Sequence, residues 1–178
     1  MNGSRFAASA TPWCGDPAAW RFVLGRYLPV LAVLSLLWEI AQLPLYTLWT
    51  QANSIYIAYA VLHCTIGDVL IGFGSLLAAL IVTGAGPLQA WRWISVGAIT
   101  VVSGFVYTVF SEWMNTVVHA HWAYSELMPV VTMGPIGSIG LSPLLQWIAV
   151  PIVALVISRR SYSAWPAGEV AKDVRAEQ

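Results

Sequence analysis

The stretch IYIAYAVLHCTIGDVLIGFGSLLAALIVT, from Ile55 to Thr83, decides the fold. It runs well past the roughly 20 residues that a helix needs to cross a bilayer. Its polar side chains do not alternate with apolar ones, as they would in a strand of a membrane barrel. A transmembrane helix is therefore predicted, and it carries His63 and Asp68 within its length. An ionisable side chain at bilayer depth costs between about 2.5 and more than 10 kcal/mol, so such residues face a protein interior and usually serve a purpose.

Three further runs have the same character: Tyr27 to Trp49, Trp93 to Ser111 and Leu141 to Ser158. Of the 178 residues, 58% are hydrophobic and 9% are charged, whereas soluble domains carry about 25% charged residues. The expected fold class is all-α, an integral membrane four-helix bundle over residues 27–160. A polar segment, 1–26, precedes it and a polar tail, 161–178, follows it. Small residues in the second and third spans, among them Gly67, Gly72, Gly74, Gly97 and Gly104, suit close helix approach. Tryptophans such as Trp38, Trp49, Trp91, Trp93 and Trp113 lie towards span ends, where an amphipathic ring suits the interface.

All eight basic residues fall on one side of this topology. Arg5, Arg21 and Arg26 precede the first span, Arg92 separates the second and third, and Arg159, Arg160, Lys172 and Arg175 follow the fourth. By the positive-inside rule both termini are cytoplasmic, and the expected location is a bacterial inner (plasma) membrane. The head lacks the compact basic segment, short apolar core and cleavage site of a secretory signal, so the first span is expected to stay in place. The connection from Ser111 to Gly140 holds Trp113, Trp122 and Tyr124 and is too apolar for a free loop. It is expected to form an interfacial cap on the outer face, between the third and fourth helices.

Several function classes are excluded. A net charge of zero with no basic run gives nucleic acid no purchase. Cys14 and Cys64 lie about a span apart, which argues against a disulfide, and there is no CxxC pair for thiol exchange. Four spans without an inverted repeat argue against a self-contained transporter.

The remaining polar residues converge in depth. At about 1.5 Å per residue, Glu39 lies about 15 Å below the outer end of its span, His63 about 12 Å and Asp68 about 20 Å, while Glu112 reaches the outer boundary. Glu39 and Gln42 share a helix face, and Glu112, Asn115 and His119 line up if the third helix continues past the membrane. His63 and Asp68 are offset by about 140° and point into a groove from its two sides. Any one of these residues also fits a purely structural hydrogen bond between helices. Four costly ionisable groups in one short chain favour a shared, outward-opening polar site.

Two chemistries suit that site. In the first, Glu39, Asp68 and Glu112 act as proton donors or bases, His63 exchanges protons, and Gln42 and Asn115 orient a hydrophobic, lipid or isoprenoid-like substrate. In the second, the chain is a non-enzymatic metal- or ligand-binding accessory subunit, with His63, Glu39, Glu112 and one of His119 or His121 as ligands of a divalent metal. No HExxH, HxxxH or ExxH spacing supports a specific metal, and no cofactor is specified. The expected partners are the lipid bilayer, a hydrophobic small molecule, and either a second copy of the chain or a larger membrane complex.

The stretches WEIAQLPLYTLW (38–49), HCTIGDVLIG (63–72), SEWMNT (111–116), HWAYSELMPV (121–130) and GLSPLLQWIAVP (140–151) span most of Trp38 to Pro151. In these the chain resembles a group of small uncharacterised bacterial polytopic inner-membrane proteins, a resemblance that implies a multi-pass fold and no activity. The pairing of Trp38 and Glu39 with Trp122 and Tyr124 bears a faint likeness to membrane carotenoid cyclases, which protonate double bonds. That likeness implies acid-base chemistry on an isoprenoid.

Overall fold

A computed structural model describes residues 12–163. The expectations for Arg5, Lys172 and Arg175 and for the outermost parts of the head and tail lie outside the described residues. Four helices are long and apolar enough to cross a membrane: α1 (Pro17–Leu45), α2 (Ser54–Val82), α3 (Trp93–Val118) and α4 (Leu141–Ser163). The chain is a multi-pass membrane protein. Consecutive helices pack against each other, and α1 also packs on α4, which closes a four-membered ring. α1 and α2 each have 29 residues, about 43 Å of helix, enough to pass the roughly 30 Å hydrocarbon layer and enter the interface on either side.

Local sequence signals explain the helix ends. α1 begins at Pro17 rather than Tyr27, because the Asp16 side chain accepts the Ala18 N–H at 2.9 Å and Pro17 occupies the first helical position. Arg21 and Arg26 therefore ride on the helix, where long stems carry their charges towards the polar region. α1 ends at Leu45 rather than Trp49, since Pro44 sits in a tightened last turn and Tyr46 is extended. In α2 the Asn53 side chain caps the first turn by accepting the Tyr56 N–H at 2.9 Å. Gly84, at φ +57°, closes the other end. There the Ala85 N–H reaches the Leu80 carbonyl at 2.9 Å and the Gly84 N–H reaches that of Ile81 at 3.0 Å, the left-handed glycine stop.

α3 continues beyond Ser111 and finishes in a π-helical turn, Met114–Val118, followed by Ala120 in a left-handed conformation at φ 51°. The rest of the connection straps back across α1. Thr47 N–H donates to the Ala123 carbonyl at 3.0 Å, Ser125 N–H to that of Leu45 at 2.9 Å, and Tyr46 and Tyr124 form an isolated bridge. A small antiparallel hairpin follows, β1 (Val130–Thr132) on β2 (Ser138–Gly140), and leads into α4. Of the segment expected to form a cap, residues 119–140 fold as this strap and hairpin, while the first part belongs to α3.

At the end of the bundle that holds the starts of α1 and α3 and the finishes of α2 and α4, the interior is solid. Phe22, Val23, Tyr27, Leu31, Leu76, Leu80, Val96 and Ala154 form its core. The Asp16 carboxylate joins this end together by accepting the Leu88 N–H at 2.8 Å as well as capping α1. Arg21, Arg26, Arg92, Arg159 and Arg160 belong to the segments gathered here. Two glycines allow contacts that no larger residue could: a Cβ on Gly72 would enter the space of Leu31, and one on Gly104 that of the Trp147 ring. The outer faces are apolar, with Ile94 90%, Ile55 81% and Val82 71% exposed, as expected of surfaces that contact lipid.

Candidate functional site

At the other end of the ring the same helices part around a cavity of about 410 Å³. Glu39, Gln42, His63, Asp68, Glu112 and Asn115, the six residues singled out as catalytic candidates, all line it. So does His121, whereas His119 does not. The π-helical turn and the left-handed Ala120 explain that exchange. They rotate the chain away from the straight-helix register in which His119 would have followed Asn115, and His119 instead stacks on His121 with ring centroids 5.1 Å apart. Among the described residues, no three His, Cys, Asp or Glu side chains converge as a metal site. The set His63, Glu39, Glu112 and His119 is not brought together.

Every helix contributes polar groups to the cavity, among them Glu39 from α1, Asp68 from α2, Glu112 from α3 and Gln146 from α4. Gln146 is the link between them. Its amide donates to Asp68 Oδ2 at 2.6 Å and to Glu39 Oε1 at 3.4 Å. Glu39 Oε1 also accepts the Gln42 amide at 2.9 Å. The chain of hydrogen bonds continues, since Ser142 donates to Gln42 Oε1 at 2.8 Å and the Trp38 indole donates to Ser142 at 3.2 Å. Ser35, 1% exposed, lies beside Asp68. Both amides on Glu39 go to one oxygen, and among the described residues Oε2 has no side-chain partner.

Glu112 forms the second part of the site. Its Oε2 accepts the Tyr124 hydroxyl at 2.5 Å, which ties the strap to α3. Burial, followed by the neighbouring Glu112 carboxyl, pushes the Tyr124 phenol well above its ordinary pKa, so it acts as a proton-bearing donor. Asn115 donates back to the Ser111 carbonyl at 2.8 Å, and its Oδ1 lies 3.1 Å from His121 Nδ1. His63 stands apart from these networks, exposed and stacked on Tyr59 at 5.6 Å. Among the described residues no Lys or Arg lines the cavity.

The acids were legible in the sequence because a charge within an apolar run stands out. Gln146, Ser142, Tyr124 and Trp122 were not among the candidates. Gln146 did leave a signal, being the one amide in the apolar run from Leu141 to Ser158. Tyr124 stood out only through the likeness to carotenoid cyclases, and nothing local tied it to Glu112, to which only the folded strap brings it. Compared with protein-family models, with curated proteins and with solved structures, the chain matches none of them.

Proposed function

We propose that this chain is an enzyme of the bacterial inner membrane, with both termini cytoplasmic and the cavity open towards the outer half, that carries out acid-base chemistry on a hydrophobic substrate. One observation carries the reading. Three carboxyl groups from three helices meet in one cavity, with no Lys or Arg beside them among the described residues, and a fourth helix supplies the amide that bridges two of them. Keeping Glu39 and Asp68 both ionised at bilayer depth is costly, so the pair holds a proton that a substrate can take. A structural network would need hydrogen-bonding groups but no cavity.

The roles follow from position. Glu39 and Asp68 share the Gln146 amide and act as the donor and acceptor pair, one giving a proton to the substrate and the other taking one back from it. Such a cycle rearranges hydrogen within the substrate and consumes no oxidant or reductant. Gln42 and Gln146 hold the pair in place. Glu112, with Tyr124, sits nearest the strap and exchanges protons with the aqueous side, where His121 and Asn115 are the adjoining polar groups. His63 marks the side wall.

Extracts of membranes from cells producing the wild type, Glu39→Gln or Asp68→Asn test this reading. The expected result is a hydrophobic compound whose isomer ratio changes only with the wild type, all three proteins being present in equal amount. Identical extracts from all three would end the proposal.

A further inference from the structure

The geometry points to how the ligand arrives and what it carries: we infer that the cavity takes a single-chain alcohol sideways from the bilayer, through the seam between α2 and α3. This deepens the proposed acid-base reading, since it rests on the same cavity facing a hydrophobic substrate.

The opening lies in the side wall. Two residues that line the cavity are exposed although they sit well inside their spans, His63 on α2 and Tyr107 (49% exposed) on the adjacent α3. At 1.5 Å per residue they lie about 14 Å from the Ser54 end of α2 and about 16 Å from the Val118 end of α3, well below the aqueous end of the bundle. The face of α2 beside His63 is built from Ala60, Cys64 and Gly67, small side chains at helical spacing that also line the cavity. A Cβ built on Gly67 meets nothing within 4 Å, so the seam at that level is open space rather than a tight glycine contact. Towards the aqueous end, by contrast, Tyr46 and Tyr124 pack at a tilt with centroids 5.7 Å apart and Trp122 lines the cavity.

The head group follows from what the wall lacks and what it leaves over. Among the described residues no Lys or Arg lines the cavity, so a phosphate or a carboxylate would find no cation there to pair with. A donor is left over. Thr108, 5% exposed, lines the cavity with its hydroxyl unpartnered, whereas the indole N–H of Trp122 lies against the Glu112 carboxyl. The Thr108 case is telling, because Thr65, Thr83, Thr100 and Thr116 each donate to the carbonyl four residues earlier, at 2.7 to 2.8 Å. Thr108 forgoes that bond and keeps its hydroxyl for the cavity. A ligand that satisfies the wall must donate to carboxyl oxygens and accept from Thr108. A hydroxyl does both, whereas an ammonium cannot accept. The volume of about 410 Å³ suits one short chain or ring system.

Photolabelling in lipid nanodiscs tests this without relying on turnover. Three diazirine-bearing probes share one alkyl chain and end in a hydroxyl, an ammonium or a sulfonate. The alcohol is expected to label peptides containing Cys64 to Ile71 and Tyr107 to Ser111, with the other two at least about tenfold weaker. Gly67→Phe, which fills open space, is expected to cut alcohol labelling about tenfold without moving the thermal midpoint. Gly74→Phe, on the same helix and also in open space but outside the cavity lining, should leave labelling unchanged. Thr108→Val should weaken the alcohol's advantage over the ammonium probe. Equal labelling by the sulfonate, a stronger ammonium signal, or full labelling in Gly67→Phe would overturn the inference. Alcohol labelling retained alongside unchanged membrane extracts would instead refute the acid-base reading and leave the binding site standing.

Discussion

The two halves of the bundle use the same four helices to opposite ends. Around Phe22, Leu31, Leu76 and Val96 the interior is filled to the point that glycine is needed where helices meet. Around Asp68 and Gln146 the helices diverge and leave a cavity lined with acids and amides. Apolar residues are abundant in both halves, so the hollow does not come from a shortage of side chains able to fill it. Filling would have been cheap, and replacing buried polar groups by apolar ones of similar volume is often neutral or stabilising. The dense half carries stability, and the open half gives some of it up for the site.

This contrast can be broken by ranking substitutions by thermal unfolding in detergent. Phe22→Ala in the dense half, at a side chain 1% exposed, should cost most, about 3–5 kcal/mol. Gly72→Val, which drives a side chain into Leu31, should cost about 1–3 kcal/mol. Asp16→Ala removes a helix cap and the tie to Leu88, and about 1 kcal/mol is expected. The Leu88 N–H, with that of Ala18, holds the Asp16 carboxyl below its ordinary pKa of 3.8. Its contribution is therefore complete above that value and fades as the pH falls through the lower folded one, so the gap between wild type and variant should close in acid. In the open half, Asp68→Leu combined with Gln146→Met should change stability by less than about 1 kcal/mol while abolishing function. A ranking in which the open-half pair proved as damaging as Phe22→Ala would erase the distinction between the halves.

The architecture was largely legible before the structure, and the reason is physical. A span announces itself by length and composition, and an acid within it by its cost, so Glu39, Asp68 and Glu112 could be placed in one cavity from their depths alone. The register at helix ends was harder. Asp16 and Pro17 are a recognisable cap and first turn, yet Arg21 and Arg26 disguised the start of α1 as a polar head. The error with His119 has another source, because helical spacing assumes 3.6 residues per turn and the π-helical turn at Met114–Val118 departs from it. Partners far apart in sequence, such as Tyr124 for Glu112 and Ser142 for Gln42, depend on folding and leave no local mark.

Gln146 also sets a timetable. It is 78 residues from Asp68 and 107 from Glu39 along the chain. At a synthesis rate of about 5–20 residues per second, both acids wait roughly 4 to 21 s in a growing chain before their shared amide is made. During that interval the ribosome has yet to supply α4. The final helix is thus the one that joins two membrane acids into a bridged pair, and a ribosome that stalls before it leaves them without their shared partner.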